Sequence, residues 1–263
     1  MFATEVRNQA KPCYLEDHPY VTAAHRQVLV EWQQLACMYH RFGMATCGLA
    51  VNLLDRFLAA HTIPKEESWA VQLAATACLS IAAKMEEVNL PSSLAQLQAG
   101  APWAEAFAPV HVKAMEFHVL EQLGWRTSVL TPLHFLDRLM AALGLHAVRG
   151  GHTHAMRIYA ENLITKTFLG EQYLCFRPST QAAAAILISM QRYCQASLVT
   201  AARAFLSQHL VQVDACLAVM HADPRMAACH HPLAPVTPSR PVPGAKPGAG
   251  QDSITPKSVL SWA

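Results

Sequence analysis

Residues 49–64, with the sequence LAVNLLDRFLAAHTIP, place two charged side chains, Asp55 and Arg56, inside a strongly apolar helical pattern. A carboxylate that is buried in such a helix without a partner strongly destabilises the fold. The sequence therefore allows two arrangements. Either Asp55 is buried and is neutralised by a cationic side chain of a neighbouring helix, or Asp55 and Arg56 both lie at an exposed edge and are hydrated.

The composition predicts a large apolar core and gives no sign of a nucleic-acid or membrane partner. Of the 263 residues, 52% are apolar and 14% are charged, and the net charge is +2 with both signs interleaved. We therefore expect no surface with an electrostatic potential of a single sign. Binding to DNA, RNA or an anionic membrane requires such a surface. The eight cysteines occur at irregular intervals without a CxxC pair, which is typical of a reduced intracellular protein.

No segment predicts secretion or insertion into a membrane. The N-terminus, MFATEVRNQAKP, lacks the apolar core of a signal peptide. The longest weakly polar stretch, Trp69–Ala83, contains Gln72 and Ser80 and is shorter than the about 20 apolar residues that span a bilayer. We expect it to be a helix that is buried on all sides.

Apolar residues recur with helical spacing along most of the chain, and proline or glycine marks many of the ends. We predict five helices at 22–41, 44–60, 64–87, 92–98 and 109–123, and five more at 131–143, 151–169, 178–194, 198–208 and 210–220. The third helix of each set begins with proline and is rich in alanine. The pattern predicts an all-α protein of two tandem five-helix bundles.

These patterns also predict the domain boundaries. An N-terminal segment (1–21) precedes the first bundle (22–126), and the second bundle covers residues 127–222. From residue 223 to residue 263, proline, glycine and serine dominate and the helical period is lost. We expect this tail to be disordered.

Motifs that carry catalysis are missing from the sequence. It contains no glycine-rich phosphate loop, GxSxG, HExxH or dinucleotide-binding fingerprint. The closest histidine groups, His152-x-His154 and Cys229-His230-His231, lack the spacing of metal ligands. We therefore expect no catalytic residue, no metal site and no cofactor.

Five ordered blocks resemble the cyclin box, and the similarity covers residues 15–220. The blocks are HRQVLVEW (25–32), LAVNLLDRFL (49–58), QLAATACLSIAAKMEE (72–87), MEFHVLEQLGW (115–125) and TPLHFLD (131–137). LAVNLLDRFL, AAKMEE and YLCFRPSTQAAAAI are most similar to plant and algal D-type (G1) cyclins. Because CYLEDHPYVTAAHR (13–26) is also similar to cyclins of the E and B types, the subclass stays open.

The resemblance implies a regulatory subunit that binds and activates a cyclin-dependent Ser/Thr kinase, acting at the G1/S transition, and that is not itself an enzyme. It matches Arg26 to the arginine that forms a buried ion pair with the aspartate at Asp55. It also matches Lys84 and Glu116 to the lysine and glutamate that contact the kinase, with Met85 and Leu120 as apolar neighbours.

Each of the two kinase-contacting residues also has a local explanation. Lys84 ends a predicted helix, where a cation is favoured by the helix dipole and can pair with Glu87. Glu116 can form a solvated i,i+3 pair with Lys113.

A second surface implied by the resemblance recruits substrates or inhibitors that carry an RxL motif. The matching positions are His25, Val28, Leu29, Trp32, Val71 and Gln72. His25 replaces a usual methionine, and Leu35 occupies a position that is often glutamate, which removes a charge that attracts the arginine of the peptide. The alternative is that Leu29 and Trp32 belong to the core.

Other features refine these expectations. The LxCxE motif of D-type cyclins does not occur in the sequence, which puts direct binding to retinoblastoma-type proteins in doubt. Thr237 in TPSR and Thr255 in TPK are candidates for proline-directed phosphorylation. The resemblance implies residence in the nucleus, with the cytoplasm as an alternative. Competing interpretations are a cyclin-fold transcription factor, which needs a basic DNA-facing surface, and a helical scaffold that does not activate a kinase.

Overall fold

The computed structural model describes residues 5, 9–11, 14–18, 21–63, 68–103, 106–145 and 152–227, and all regular structure in these ranges is helical. The α-helices are α1 (Tyr14–Asp17), α2 (Ala23–His40), α3 (Met44–Ala60), α4 (Ser68–Glu86), α5 (Leu94–Leu97), α6 (Pro109–Gln122), α7 (Leu133–Ala142), α8 (His152–Thr167), α9 (Pro178–Tyr193), α10 (Ala196–His209), α11 (Val213–Ala222) and α12 (Pro224–Ala227). The predicted all-α class is confirmed.

The helix ends follow the local chemistry of the sequence. The Thr22 hydroxyl accepts a hydrogen bond from the backbone N–H of His25 at 3.3 Å and caps the start of α2. Arg41, which ends α2, has a left-handed backbone with φ of 58°. Pro109 lies in the first turn of α6, and Gly124, with φ of 58°, follows the end of that helix.

Two helix bundles follow one another along the chain, each built around an alanine-rich central helix. In the first bundle, α4 packs against α3 and α6, and in the second, α9 packs against α7, α8 and α11. Between Ala70 and Ala83 the side chains of α4 are almost all buried. In the described part of the chain, no helix is long and apolar enough to cross a membrane.

The bundles contact each other at α2 and α3. An added Cβ on Gly48 of α3 would lie 3.1 Å from the ring of Phe168, so glycine permits this close approach. The Gln34 side chain of α2 donates a hydrogen bond to the Thr165 carbonyl oxygen at 2.8 Å. Small side chains and amide contacts together hold the second bundle against the first.

Asp55 lies in the interior and pairs with Arg26. The Arg26 Nε and Nη2 atoms lie 2.7 and 2.8 Å from the two carboxylate oxygens of Asp55, and the residues are 1% and 4% exposed. The Tyr14 hydroxyl of α1 donates to Asp55 Oδ1 at 2.7 Å, and Arg26 Nη1 also donates to the Leu169 carbonyl oxygen at 3.3 Å. The Arg26–Asp55 pair therefore joins α1, α2, α3 and the second bundle.

The electrostatic environment favours this charged pair. Burial opposes the positive charge of Arg26, but the adjacent Asp55 carboxylate outweighs that effect and raises the pKa of Arg26. Burial, together with Asp55, raises the pKa of the Tyr14 phenol well above its ordinary value. Tyr14 therefore remains a neutral hydrogen-bond donor, and Arg26 remains a cation.

The N-terminal segment also bridges to the second bundle. The Glu5 carboxylate accepts hydrogen bonds from the backbone N–H and the hydroxyl of Ser179, at 3.0 and 2.9 Å, and so caps the first turn of α9. The Gln9 side chain donates to the Leu174 and Phe176 carbonyl oxygens. These bonds connect the segment that precedes the first bundle to the second bundle.

The folded region extends a few residues beyond the predicted start of the disordered tail. Residues 223–227, which were expected to be disordered, include the short helix α12. Asp223 accepts hydrogen bonds from the Tyr173 hydroxyl and the Gln172 amide at 3.0 Å and pairs with Arg225. Composition alone missed these partners because they lie far away in sequence. The remainder of the predicted tail lies outside the described residues.

We predict that Asp55→Ala lowers the free energy of unfolding by about 3–5 kcal/mol because it leaves the buried Arg26 without its counter-ion. Urea denaturation followed by circular dichroism measures the change. Asp137→Ala is the matched control, since its ion pair with Arg157 is exposed and is expected to contribute less than about 1 kcal/mol. Equal losses for the two variants would contradict the role given to the buried pair.

Candidate functional site

Lys84 and Glu116, which are far apart in sequence, meet at the surface of the first bundle. The Lys84 Nζ atom lies 2.6 Å from both carboxylate oxygens of Glu116. The Lys84 side chain is 45% exposed and that of Glu116 is 11% exposed. Because α4 and α6 pack side by side, the last turn of α4 brings Lys84 over the middle of α6.

Glu87, the local partner considered for Lys84, has a different role. Its carboxylate accepts hydrogen bonds from the Gly43 backbone N–H at 2.6 Å and from the Thr46 hydroxyl. These contacts cap the N-terminus of α3, where backbone N–H groups lack partners within the helix. The carboxylate that contacts Lys84 is therefore that of Glu116.

Apolar side chains lie next to Lys84 and Glu116 along α4 and α6 and at the end of α6. Met85 follows Lys84 and is half exposed, and Leu120, one turn after Glu116, is partly buried. Phe117 and Trp125 are 54% and 60% exposed, and their rings meet edge to face with centroids 5.7 Å apart. We define the docking surface as Lys84, Met85, Glu116, Phe117, Leu120 and Trp125.

Sequence reasoning missed Phe117 and Trp125. Both lie in the block MEFHVLEQLGW, Phe117 within α6 and Trp125 after it, and aromatic residues among apolar ones are typical of the core. Trp125 follows Gly124, and both residues have a φ of 58°, so the chain turns sharply there. Such a turn directs the Trp125 side chain away from the core, and a glycine before tryptophan at a helix end is the only hint in the sequence.

Arg56 supports the turn that carries Trp125. Arg56 is buried, and its Nη1 atom donates a hydrogen bond to the Arg126 carbonyl oxygen at 2.8 Å. Burial and the nearby charge of Arg126 lower the pKa of Arg56. Arg56 is thus buried and does not lie at a hydrated edge. It anchors the turn at the docking surface.

The predicted substrate-docking positions are only partly accessible. His25 and Val28 are exposed and Gln72 is partly buried, whereas Leu29, Trp32 and Val71 are buried. The Trp32 ring contacts the ring of Trp103, which lies between α5 and α6, with centroids 4.5 Å apart. The alternative interpretation, in which Leu29 and Trp32 are core residues, describes their burial correctly.

The solvent-facing side of α2 continues this region with apolar residues. Leu35, Met38 and Tyr39 are all more than half exposed. Val28, Leu35 and Tyr39 lie along one line of the helix because their spacing of seven and four residues is close to whole turns.

The geometry defines a two-bundle helical protein whose candidate site is a docking surface. Comparison with known proteins gives the family. The family model for the N-terminal domain of cyclins matches residues 1–128, and the model for the C-terminal domain of cyclins matches residues 130–234. The chain belongs to the cyclin family.

The curated relatives include plant D-type cyclins, in agreement with the resemblance noted in the sequence. Cyclin-D4-1 of Arabidopsis thaliana is 38% identical over 162 residues, which cover 62% of this chain and 51% of that protein. Cyclin-D2-2 of Oryza sativa subsp. japonica is 33% identical over 187 residues, which cover 70% of this chain and 51% of that protein. The chain thus spans about half the length of these relatives.

Solved structures share the fold at lower sequence identity. A viral cyclin from herpesvirus saimiri superposes with a TM-score of 0.71 at 20% identity, over 87% of this chain and 95% of that one. A chain of the CAK complex of Chaetomium thermophilum gives a TM-score of 0.56 at 16% identity, over 87% of this chain and 71% of that one. At these identities the likeness concerns the fold alone.

We predict that Lys84→Glu lowers the free energy of unfolding by about 1 kcal/mol, because it places two carboxylates in contact at a partly exposed site. The charge swap Lys84→Glu/Glu116→Lys is expected to recover most of that loss, since the pair is restored in the opposite order. Chemical denaturation measures both variants, and Lys11→Glu, at an exposed position outside α4 and α6, is the control. A swap that is no more stable than Lys84→Glu would contradict the pairing.

Proposed function

We propose that this chain is the regulatory subunit of a cyclin-dependent Ser/Thr kinase, which it binds and activates, at the G1/S transition of the division cycle. The observation that carries the proposal is the docking surface, in which the Lys84–Glu116 ion pair lies on the same two helices as exposed apolar and aromatic side chains. Membership of the cyclin family and similarity to plant D-type cyclins support it.

The docking surface has the chemistry of a protein interface. Aromatic and methionine side chains such as Phe117, Trp125 and Met85 supply apolar area that a partner can desolvate. Lys84 keeps almost half of its side chain in solvent while it contacts Glu116, so it can donate further hydrogen bonds to a partner. Glu116 orients Lys84 before binding, which lowers the entropy lost in the complex.

The proposed mechanism is a shift of the kinase between two conformations. A protein kinase is active when its β3 lysine pairs with the glutamate of its αC helix and both are aligned with the ATP phosphates. A rigid surface that binds the active arrangement more tightly stabilises it by the difference in affinity. The cyclin supplies this surface and contributes no group to the chemical step.

The rigidity that this mechanism requires comes from the interior. Glu116 is carried by α6, which packs on the buried helix α4. The turn that carries Trp125 is held by the buried Arg56. The docking side chains therefore project from backbone that is packed on the core or bonded to it.

The solvent-facing side of α2 is proposed as a surface that recruits substrates or inhibitors carrying an RxL motif. His25 and Val28 form its accessible rim, and Leu29, Trp32, Val71 and Gln72 lie behind or beside them. Because Leu35 carries no charge, the arginine of such a motif has no carboxylate partner at that position. The leucine of the motif then supplies most of the affinity.

Two further proposals concern the location and lifetime of the protein. Residence in the nucleus is proposed from the family. Phosphorylation of Thr237 or Thr255 as a degradation signal is proposed from their Thr-Pro context, and both residues lie outside the described part of the chain.

We predict that Lys84→Glu/Glu116→Lys abolishes kinase binding and activation, because the charges that face the kinase are reversed while the internal pair is kept. Copurification with a cyclin-dependent kinase, followed by phosphorylation of histone or a retinoblastoma fragment, measures the effect. Asp137→Ala in the second bundle is the control and is expected to bind normally. Retained binding by the swap would contradict this docking surface, and a wild-type chain that binds a kinase without activating it would indicate a scaffold.

We predict that a peptide containing Arg-x-Leu competes with phosphorylation of a protein substrate that carries the same motif. Replacing the leucine of the peptide by alanine is expected to weaken competition about tenfold or more, since a buried leucine contributes about 1.5–3 kcal/mol. Replacing the arginine is expected to have a smaller effect because of Leu35. Absence of competition would rule out recruitment through α2, and a larger loss for the arginine would contradict the role of Leu35.

A further inference from the structure

The side chain of Gln98 forms hydrogen bonds across the loop that connects α5 to α6. The Gln98 side chain accepts a hydrogen bond from the Phe107 backbone N–H at 2.7 Å and donates to the carbonyl oxygens of Phe107, at 2.9 Å, and Leu94, at 3.1 Å. Gln98 is buried, and the ring of Phe107 lies 6.0 Å from the ring of Trp103. These contacts hold Trp103 at a defined place above α2.

Trp103 covers the ring of Trp32, a residue of the proposed substrate-docking patch. Its ring meets Trp32 at an interplanar angle of 63°, with the centroids 4.5 Å apart. Trp32 is 2% exposed, and its neighbours Leu29 and Val71 are also buried. An apolar side chain of a peptide therefore cannot reach Trp32 while Trp103 stays in this position.

In this arrangement the two indole N–H groups have no acceptor among the described residues. The Nε1 atoms of Trp32 and Trp103 are both buried, and neither has an acceptor among the residues that the structure describes. Buried donors in native proteins nearly always have a partner, and a donor without one is destabilising. Displacement of the Trp103 ring would expose both N–H groups, to solvent or to a carbonyl oxygen of a bound peptide.

We propose that Trp103 is an intramolecular cover of the substrate-docking patch, and that a peptide docks by displacing its ring from Trp32. The ligand is an extended peptide whose leucine-sized side chain takes the place of the Trp103 ring and whose backbone accepts a hydrogen bond from Trp32 Nε1. This inference rests on the recruitment surface proposed above, and it adds that the isolated chain keeps that surface closed.

The test compares binding of a fluorescent Arg-x-Leu peptide to the full chain and to three variants by fluorescence anisotropy. Trp103→Ala removes the cover and is expected to bind about 2- to 12-fold more tightly, the factor that corresponds to an aromatic edge contact. Trp103→Phe keeps an aromatic cover and should resemble the wild type. Trp32→Ala/Trp103→Ala should not show the higher peptide affinity of Trp103→Ala, because the peptide is expected to bind to the uncovered Trp32.

Unchanged or weaker binding by Trp103→Ala would overturn the proposal, since Trp103 would then be irrelevant to the patch or one of its walls.

A second measurement uses the wild-type chain and so avoids mutation of the protein that binds the peptide. In wild-type protein labelled with 5-fluorotryptophan, the Trp103 ¹⁹F signal, assigned with Trp103→Phe, should move toward the position of the free amino acid when peptide is added. A signal that stays in place would also overturn the cover.

Kinase activation by the wild-type chain is assayed in parallel with a substrate that lacks the motif. If the wild type activates the kinase but Trp103→Ala gains no affinity for the peptide, the cover is wrong and the proposed function stands. If the wild type activates no kinase, the proposed function fails, whatever the peptide does.

Discussion

The Asp55 carboxylate is the group on which the arrangement of the two bundles depends. It accepts hydrogen bonds from Arg26 of α2 and Tyr14 of α1, and Arg26 extends the network to the Leu169 carbonyl oxygen. A buried ion pair is often no more stabilising than an apolar replacement, but its geometry is demanding. Through Arg26 the pair couples the crossing of α2 and α3 to the position of the second bundle.

The docking surface is a consequence of this interior. The side chains of α4 are almost all buried from Ala70 to Ala83, and Lys84 begins the exposed end of that helix. α6 crosses α4 at this point and supplies Glu116. Arg56, the neighbour of Asp55, supports the turn that bears Trp125. Changes to the interior of the first bundle should thus alter the positions of side chains at the surface that is proposed to bind a kinase.

Sequence reasoning succeeded for the helices and was weaker for the surfaces. Helical spacing and the prolines and glycines at the ends placed the helices within a few residues, because these signals are local. The exposure of Phe117 and Trp125 was missed, since an aromatic residue is assigned to the core when the positions of the neighbouring helices are not known. The folded segment 223–227 was assigned to the tail for the same reason, because its partners, Gln172 and Tyr173, are about 50 residues away.

The sequence by itself determined the all-α class, the order of the helices and the family, since each depends on residue spacing that is preserved along the chain. Only the tertiary structure decided which side chains meet. It paired Lys84 with Glu116, assigned Glu87 to the start of α3 and placed Trp103 on Trp32. The physical reason is that helical periodicity specifies the apolar side of each helix, whereas contacts between helices depend on how those sides pack together.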